Sequence, residues 1–280
     1  MSSLTLYNEV TAQSSKHTTL LYSSSFSSAI GLLDQSLRQP IYDIYGFVRF
    51  ADEIVDTFHE YDKATLLATF KVDTYAALDN GISLNPILHR FQLTYNQFKI
   101  DRALLDAFLY SMEMDLSQQS HDEASYNQYI FGSAEVVGLM CLKIFCNGDE
   151  GQYDALKPSA QRLGAAFQKV NFLRDIKADF VGMERMYFPN CDFSNFSLAD
   201  KQAIEADIQA DFDAALEGIK ALPIPCRFGV YVAFKYYYAL FKKIKQTNHG
   251  ALLSTRIRIP DYGKLFIVFN AKIRASLNLL

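Results

Sequence analysis

The chain runs to 280 residues, half of them hydrophobic, which suffices for one large domain with an extensive core, and no linker divides it, so a single domain over residues 1–280 is expected. A net charge of −4 and a pI of about 5.7 exclude a general affinity for nucleic acid or anionic lipid on charge alone, and an anionic substrate would need a metal ion. Cys141, Cys146, Cys191 and Cys226 have neither zinc-site spacing nor the density of a disulfide scaffold, which suits small buried side chains in a reducing cytosol.

The first twenty residues are polar, with Lys16 where a signal peptide would need an apolar run. Helical periodicity then sets in and predicts helices over 25–34, 40–58, 63–78, 86–96, 101–117, 123–147, 152–182, 198–220, 226–246 and 264–277. Leu104, Leu105, Phe108, Leu109, Met112 and Leu116 illustrate the three- and four-residue spacing. Asn80-Gly81, Asn147-Gly148, Pro189-Asn190, Pro223 with Pro225, and His249-Gly250 punctuate the pattern, and the prolines mostly fall between helices. No strand ladder, repeat or low-complexity tract is visible. The apolar runs 134–146 and 228–241 are broken by Lys143 and Lys235 and fall short of the roughly 20 residues that cross a bilayer, so a cytoplasmic protein without a spanning segment is expected. Twenty-two Phe and seventeen Tyr without Trp predict an aromatic interior.

Two acidic clusters carry the functional signal. Asp52 and Asp56 lie four residues apart, and Asn171, Asp175 and Asp179 repeat that spacing over two turns, so each set projects from one helix face. Carboxylates facing an apolar bundle need a cation or a hydrogen-bonded partner. Magnesium meets that need with few carboxylates plus phosphate oxygens. Arg49 lies three residues before Asp52, and Arg174 adjoins Asp175; guanidinium groups suit bidentate phosphate contact, or they neutralise the neighbouring aspartates. The serines at 23–25 and 27–28 either cap a helix or offer an anion site. No Ser/His/Asp arrangement, Gly-rich phosphate loop or histidine metal spacing is present.

Read in order, Tyr22-Ser-Ser-Ser-Phe26, Tyr45-Gly-Phe-Val-Arg49-Phe-Ala-Asp52-Glu-Ile-Val-Asp56, Tyr129-Ile-Phe-Gly-Ser-Ala-Glu-Val-Val-Gly138, Gln168-Lys-Val-Asn171-Phe-Leu-Arg174-Asp175-Ile-Lys-Ala-Asp179 and Arg185-Met-Tyr-Phe-Pro189 resemble the phytoene/squalene synthase family, over most of the chain. The resemblance implies an all-α isoprenoid-synthase bundle around a central cavity, with the two acidic motifs facing each other across its mouth. It also implies magnesium, with manganese as a substitute, and a head-to-head condensation of two allylic diphosphates through a cyclopropylcarbinyl diphosphate. Most like bacterial phytoene synthases, the chain is expected to join two geranylgeranyl diphosphates to phytoene for carotenoid biosynthesis without a nucleotide cofactor. The alternative is a squalene or dehydrosqualene synthase acting on two farnesyl diphosphates.

Carried over residue by residue, the resemblance assigns metal binding to Asp52, Asp56, Asn171, Asp175 and Asp179. It assigns catalysis to Asp52, Asp56, Asp175, Arg49, Arg174 and Tyr129, and substrate contact to Tyr22, Ser25, Phe26, Tyr45, Arg49, Gln168, Arg174, Arg185, Tyr237 and Arg258, with Arg256 as a substitute for Arg258. Tyr22 stands where many relatives have histidine, and Glu53 where many have aspartate, so a diphosphate role for the first and a metal role for the second are open. The small residues Gly132, Ser133, Ala134, Gly138, Gly164, Ala165 and Ala166 either make room for prenyl chains or let helices approach closely. A hydrophobic product implies transient contact with a membrane surface; no nucleic-acid partner is implied.

Overall fold

Residues 3–22 form a helix that apolar periodicity does not announce. In α1 (Ser3–Tyr22) the buried positions are Thr11, Ser15 and Thr19, a stripe of hydroxyls at four-residue spacing. Thr19 Oγ1 donates back to the Ser15 carbonyl at 3.1 Å, which satisfies the hydroxyl inside the packed face. A short helix, α2 (Ser24–Ile30), follows, its first turn capped by Ser23, whose side chain accepts from the Phe26 N–H. The computed structural model describes residues 2–117, 120–176, 187–189, 191, 196–253 and 255–276.

The remaining helices lie close to their predicted places, except the short α12, which begins at the His249-Gly250 pair expected to be a turn: α3 (Gln35–Asp56), α4 (Lys63–Asn80), α5 (Pro86–Gln97), α6 (Arg102–Ser117), α7 (Glu123–Ile130), α8 (Val136–Cys146), α9 (Glu150–Ile176), α10 (Leu198–Ala221), α11 (Ile224–Gln246), α12 (His249–Leu252) and α13 (Asp261–Ser276). The fold is all-α, with no strand among the described residues. Gly81 and Asn147 end α4 and α8 in the left-handed conformation, as their turn signals predict. Pro40 and Pro158 depart from the expected punctuation and lie inside α3 and α9. Helix α3 starts five residues before its predicted start and is capped by Asp34, whose side chain accepts from Ser36 N–H at 3.0 Å.

Helices α3, α8 and α9 are central, with α1 and α5 packed on α3 and α10 on α9. On α3, the fully buried Phe47 stacks on Phe91 at 3.8 Å between ring centres and also meets Phe70 and Phe108. Asp43, fully buried one turn earlier, accepts from Arg90 Nη2 at 2.9 Å, Thr94 Oγ1 at 2.8 Å and Gln39 Nε2 at 2.8 Å. A buried carboxylate persists only with such partners, so this network fixes how α3 meets α5.

The stretch Glu123–Cys146 is long and apolar enough to cross a membrane by composition. Here it is a core element, packed against α3, α6 and α9. Between α7 and α8 it widens into a π-helical turn, Phe131–Glu135. At this turn Gly132 is pressed on α6: a Cβ there would sit 2.5 Å from the Ala107 carbonyl oxygen. Gly164 of α9 is as tightly pressed on the same π-helical turn, with 2.6 Å to the Ala134 carbonyl oxygen.

Candidate active site

One cavity of about 650 Å³ opens among α2, α3, α8, α9, α10 and α11, within the roughly 300–1,000 Å³ usual for small-molecule sites. Its inner wall is apolar, contributed by residues such as Leu33, Val137, Phe145, Leu163, Ile219 and Val230. The small residues serve both readings left open above. Ser133, Ala134, Gly138 and Gly164 line the cavity, while Gly164, like Gly132, also brings helix backbones together.

Charged groups gather at one part of this lining. From α3 come Arg49, Asp52 and Asp56; from α9 come Gln168, Asn171, Arg174 and Asp175. The two acidic motifs therefore share one hollow. Burial, then the negative charges of Asp56 and Asp115, push the Asp52 carboxyl up to about 8, with Arg49 pulling the other way. Asp115 of α6 was not anticipated. It is buried and accepts from the Tyr129 hydroxyl at 2.7 Å and from the Tyr187 hydroxyl at 3.3 Å. The Tyr129 phenol is raised well above its ordinary value by burial and then by Asp115, so it acts as a neutral donor. A sequence signal existed: Asp115 stands three residues after Met112 and seven after Phe108, on the apolar face of its helix.

The arginines are held by the acids beside them. Arg49 pairs with Glu53, one turn on, and its guanidinium lies 4.4 Å from the centre of the half-exposed Tyr22 ring. Thus Tyr22 touches Arg49 and Glu53 neutralises it. Arg174 grips the neighbouring Asp175 with Nη2–Oδ2 at 2.5 Å, and Arg256 adds Nε–Oδ1 at 2.7 Å. Arg256, and not Arg258, lines the cavity; Arg258 is exposed, its carbonyl accepting from Lys243 Nζ. Ser25 is likewise outside the lining, where Ser23 stands instead. Asp179 and Arg185 lie outside the described residues.

Aromatic rings face the hollow on two sides. Phe26 of α2 meets Tyr45, Phe167 and Tyr237, and Phe167 stacks on Tyr237 at 3.9 Å. Opposite, Phe172 stacks on Tyr187 at 4.0 Å and Tyr129 lies 5.2 Å from Tyr187. Tyr45 is pushed up to about 12, chiefly by burial, and Tyr237 is raised by the same cause, so both phenols stay neutral. Such faces attract positive charge. Cys141 lines the wall, its thiol pushed up to about 12 by burial and hence unreactive, and all four cysteines are free.

The donor set suits a divalent cation that keeps outside ligands. Among the described residues no three His, Cys, Asp or Glu side chains are placed to hold a metal by themselves. Paired carboxylates on α3 nevertheless repel one another, and Asn171 Oδ1 is buried without a hydrogen-bond partner. Both features fit magnesium completed by substrate phosphate oxygens.

A family model described as squalene/phytoene synthase matches residues 21–262. The chain belongs to that family. Its relatives are prenyl-transferring enzymes by name. A presqualene diphosphate synthase of Rhodopseudomonas palustris is 30% identical over 251 residues, covering 88% of this chain and 84% of that protein. A phytoene synthase of Arthrospira platensis is 25% identical, covering 96% and 92%. Among solved structures, a dehydrosqualene synthase superposes with a TM-score of 0.82 at 17% identity, covering 96% of this chain and 98% of that one. That likeness gives this chain the isoprenoid-synthase helical fold.

Proposed function

We propose that this protein joins two allylic prenyl diphosphates head to head through a cyclopropylcarbinyl diphosphate, and that its substrate is geranylgeranyl diphosphate and its product phytoene. The observation that carries the reading is the opening of both acidic motifs, on α3 and α9, into one apolar cavity.

Asp52, Asp56, Asn171 and Asp175 would hold magnesium, which when bound stabilises the negative charge developing on the departing diphosphate. Arg49, Arg174 and Arg256 would bind that same diphosphate, each exchanging a carboxylate partner for phosphate oxygens. Breaking the allylic carbon–oxygen bond leaves a carbocation, so no protein nucleophile is required. The apolar wall excludes water from that cation, and the rings of Phe26, Phe167, Phe172 and Tyr237 supply negative faces beside it. Tyr129, its O–H donated to Asp115, presents a neutral phenol to the cavity.

A second reading, in which two farnesyl diphosphates are taken to presqualene diphosphate, is favoured by the relative of that name at 30% identity. Incubating purified protein and magnesium with each diphosphate, with and without NADPH, separates them. A forty-carbon hydrocarbon formed without reductant supports phytoene synthesis. A thirty-carbon cyclopropylcarbinyl diphosphate transfers the assignment to the second reading, NADPH-dependent thirty-carbon hydrocarbon rejects the phytoene reading, and no consumption of either substrate defeats both.

A further inference from the structure

Helix α13 has two unlike faces. Ile267, Val268 and Ala271 pack against the core, with Ala271 1% exposed. On the other side, Tyr262, Leu265, Phe266 and Phe269 recur at three- and four-residue spacing and are 78%, 73%, 65% and 61% exposed. Scattered surface apolar residues are ordinary, but four large ones in a helical stripe form a patch. The surrounding charge is as uneven. From Lys242 to Arg274 the sequence carries eight Lys or Arg and one acidic residue, in a chain whose net charge is −4. Burial, then the positive charges of Arg274 and Lys242, hold the Lys235 ammonium of α11 below its ordinary value, which places two of these cations near a further one.

The stripe also adjoins the cavity. Lys264 Nζ, in the first turn of α13, donates to Ser24 Oγ at 2.6 Å, next to the cavity-lining Tyr22 and Ser23. Leu20 and Leu21, 48% and 72% exposed, continue the apolar surface there, and Arg256 at the mouth lies five residues before α13 begins.

We propose that α13 and the Leu20–Leu21 corner form a docking face for an anionic lipid bilayer, with the ring and leucine side chains in the acyl boundary and the basic residues at the headgroups. An exposed apolar stripe flanked by Lys and Arg is the chemistry of an interfacial helix, and the local positive excess selects anionic over zwitterionic lipid. Docked so, the cavity opens beside the phase that dissolves a prenyl chain. Binding to lipid needs no substrate, so its failure and the failure of the catalytic reading are separable.

The test is flotation of the full chain with vesicles of phosphatidylcholine alone and with phosphatidylglycerol added, at low and high salt. Recovery with the anionic vesicles, reduced by salt, and reduced roughly tenfold or more in Phe266→Ser/Phe269→Ser is expected. That variant keeps the wild-type circular dichroism and melting temperature, since both rings are exposed. No recovery of wild type with anionic vesicles overturns the proposal, as does equal recovery of the variant. A wild-type dimer that dissociates in the variant, with no lipid-bound fraction, assigns the face to a second copy of the chain instead.

Discussion

Arg256 reaches Asp175 at 2.7 Å from a segment eighty-one residues further along the chain, joining the stretch before α13 to the second acidic motif. The pair is half-open to solvent on the arginine side and nearly closed on the aspartate side, at 51% and 18% side-chain exposure. Asp175 is thereby gripped from two directions, by its neighbour and by Arg256.

If this arginine meets diphosphate, Arg256→Ala lowers kcat/KM about 10–100-fold, the roughly 1.5–3 kcal/mol of a charge-assisted hydrogen bond. Arg258→Ala, at an exposed position whose backbone carbonyl makes the contact, stays within about twofold. Steady-state kinetics on the two variants checks this; equal losses would remove the distinction.

Asp52 and Glu53 are adjacent but differently engaged. Asp52→Ala lowers kcat by about 100-fold or more, as expected for loss of a group stabilising transition-state charge. Glu53→Gln releases Arg49 from its ion pair and acts on KM for the diphosphate with little change in the magnesium concentration needed for half-maximal rate. Magnesium titrations of both variants check the contrast.

The hydroxyl of Tyr129 and the carboxylate of Asp115 form a buried pair. Tyr129→Phe leaves that carboxylate one donor short, costing about 1–3 kcal/mol. Asp115→Asn after Tyr129→Phe costs less than it does alone. Thermal melts of the two single variants and the double variant measure the coupling; additive losses would deny it.

His89 ties α5 to α1. Its Nε2–H donates to Asn8 Oδ1 at 2.8 Å and its Nδ1 accepts from Ser83 N–H at 3.4 Å, the pattern of a neutral ring. Burial, then the charge of Arg90, lowers its pKa from the ordinary 6.5. The unfolded chain takes up a proton below about pH 6.5 and the folded ring resists it, so this contribution is intact above pH 6.5 and is lost as pH falls. The melting-temperature gap between wild type and His89→Gln therefore narrows from pH 7.5 to pH 5.

Most of the helices and the two motifs were legible because apolar spacing and paired acids leave a direct trace in sequence. Helix α1 left none, since its buried face is the hydroxyl residues Thr11, Ser15 and Thr19, and the Thr11 and Thr19 hydroxyls bond back to carbonyls of the helix itself. Asp115 was passed over because a carboxylate on an apolar stripe reads as surface until the tyrosines that satisfy it are seen, and those come from 14 and 72 residues away. The choice between Arg256 and Arg258 depends on the path of the irregular segment before α13, which spacing does not encode. The four-residue step from Asn171 to Asp175 placed both on one face, but it gave no sign that two arginines hold Asp175.

The contact of Gly164 with the Ala134 carbonyl leaves no clearance for even one methyl group. Gly164→Ala lowers stability by about 1–3 kcal/mol, whereas Gly151→Ala, whose Cβ would have 3.5 Å to its nearest neighbour, stays close to neutral in thermal melts.

That contact also makes the hollow a rigid mould. With the π-helical turn before α8 and α9 already touching main chain to main chain, they cannot slide together, and prising them apart would forfeit packing along both. A descendant adapting to a shorter or longer hydrocarbon tail must therefore do so by exchanging side chains such as Phe145 or Leu163, one bulk for another, with the scaffold left where it is.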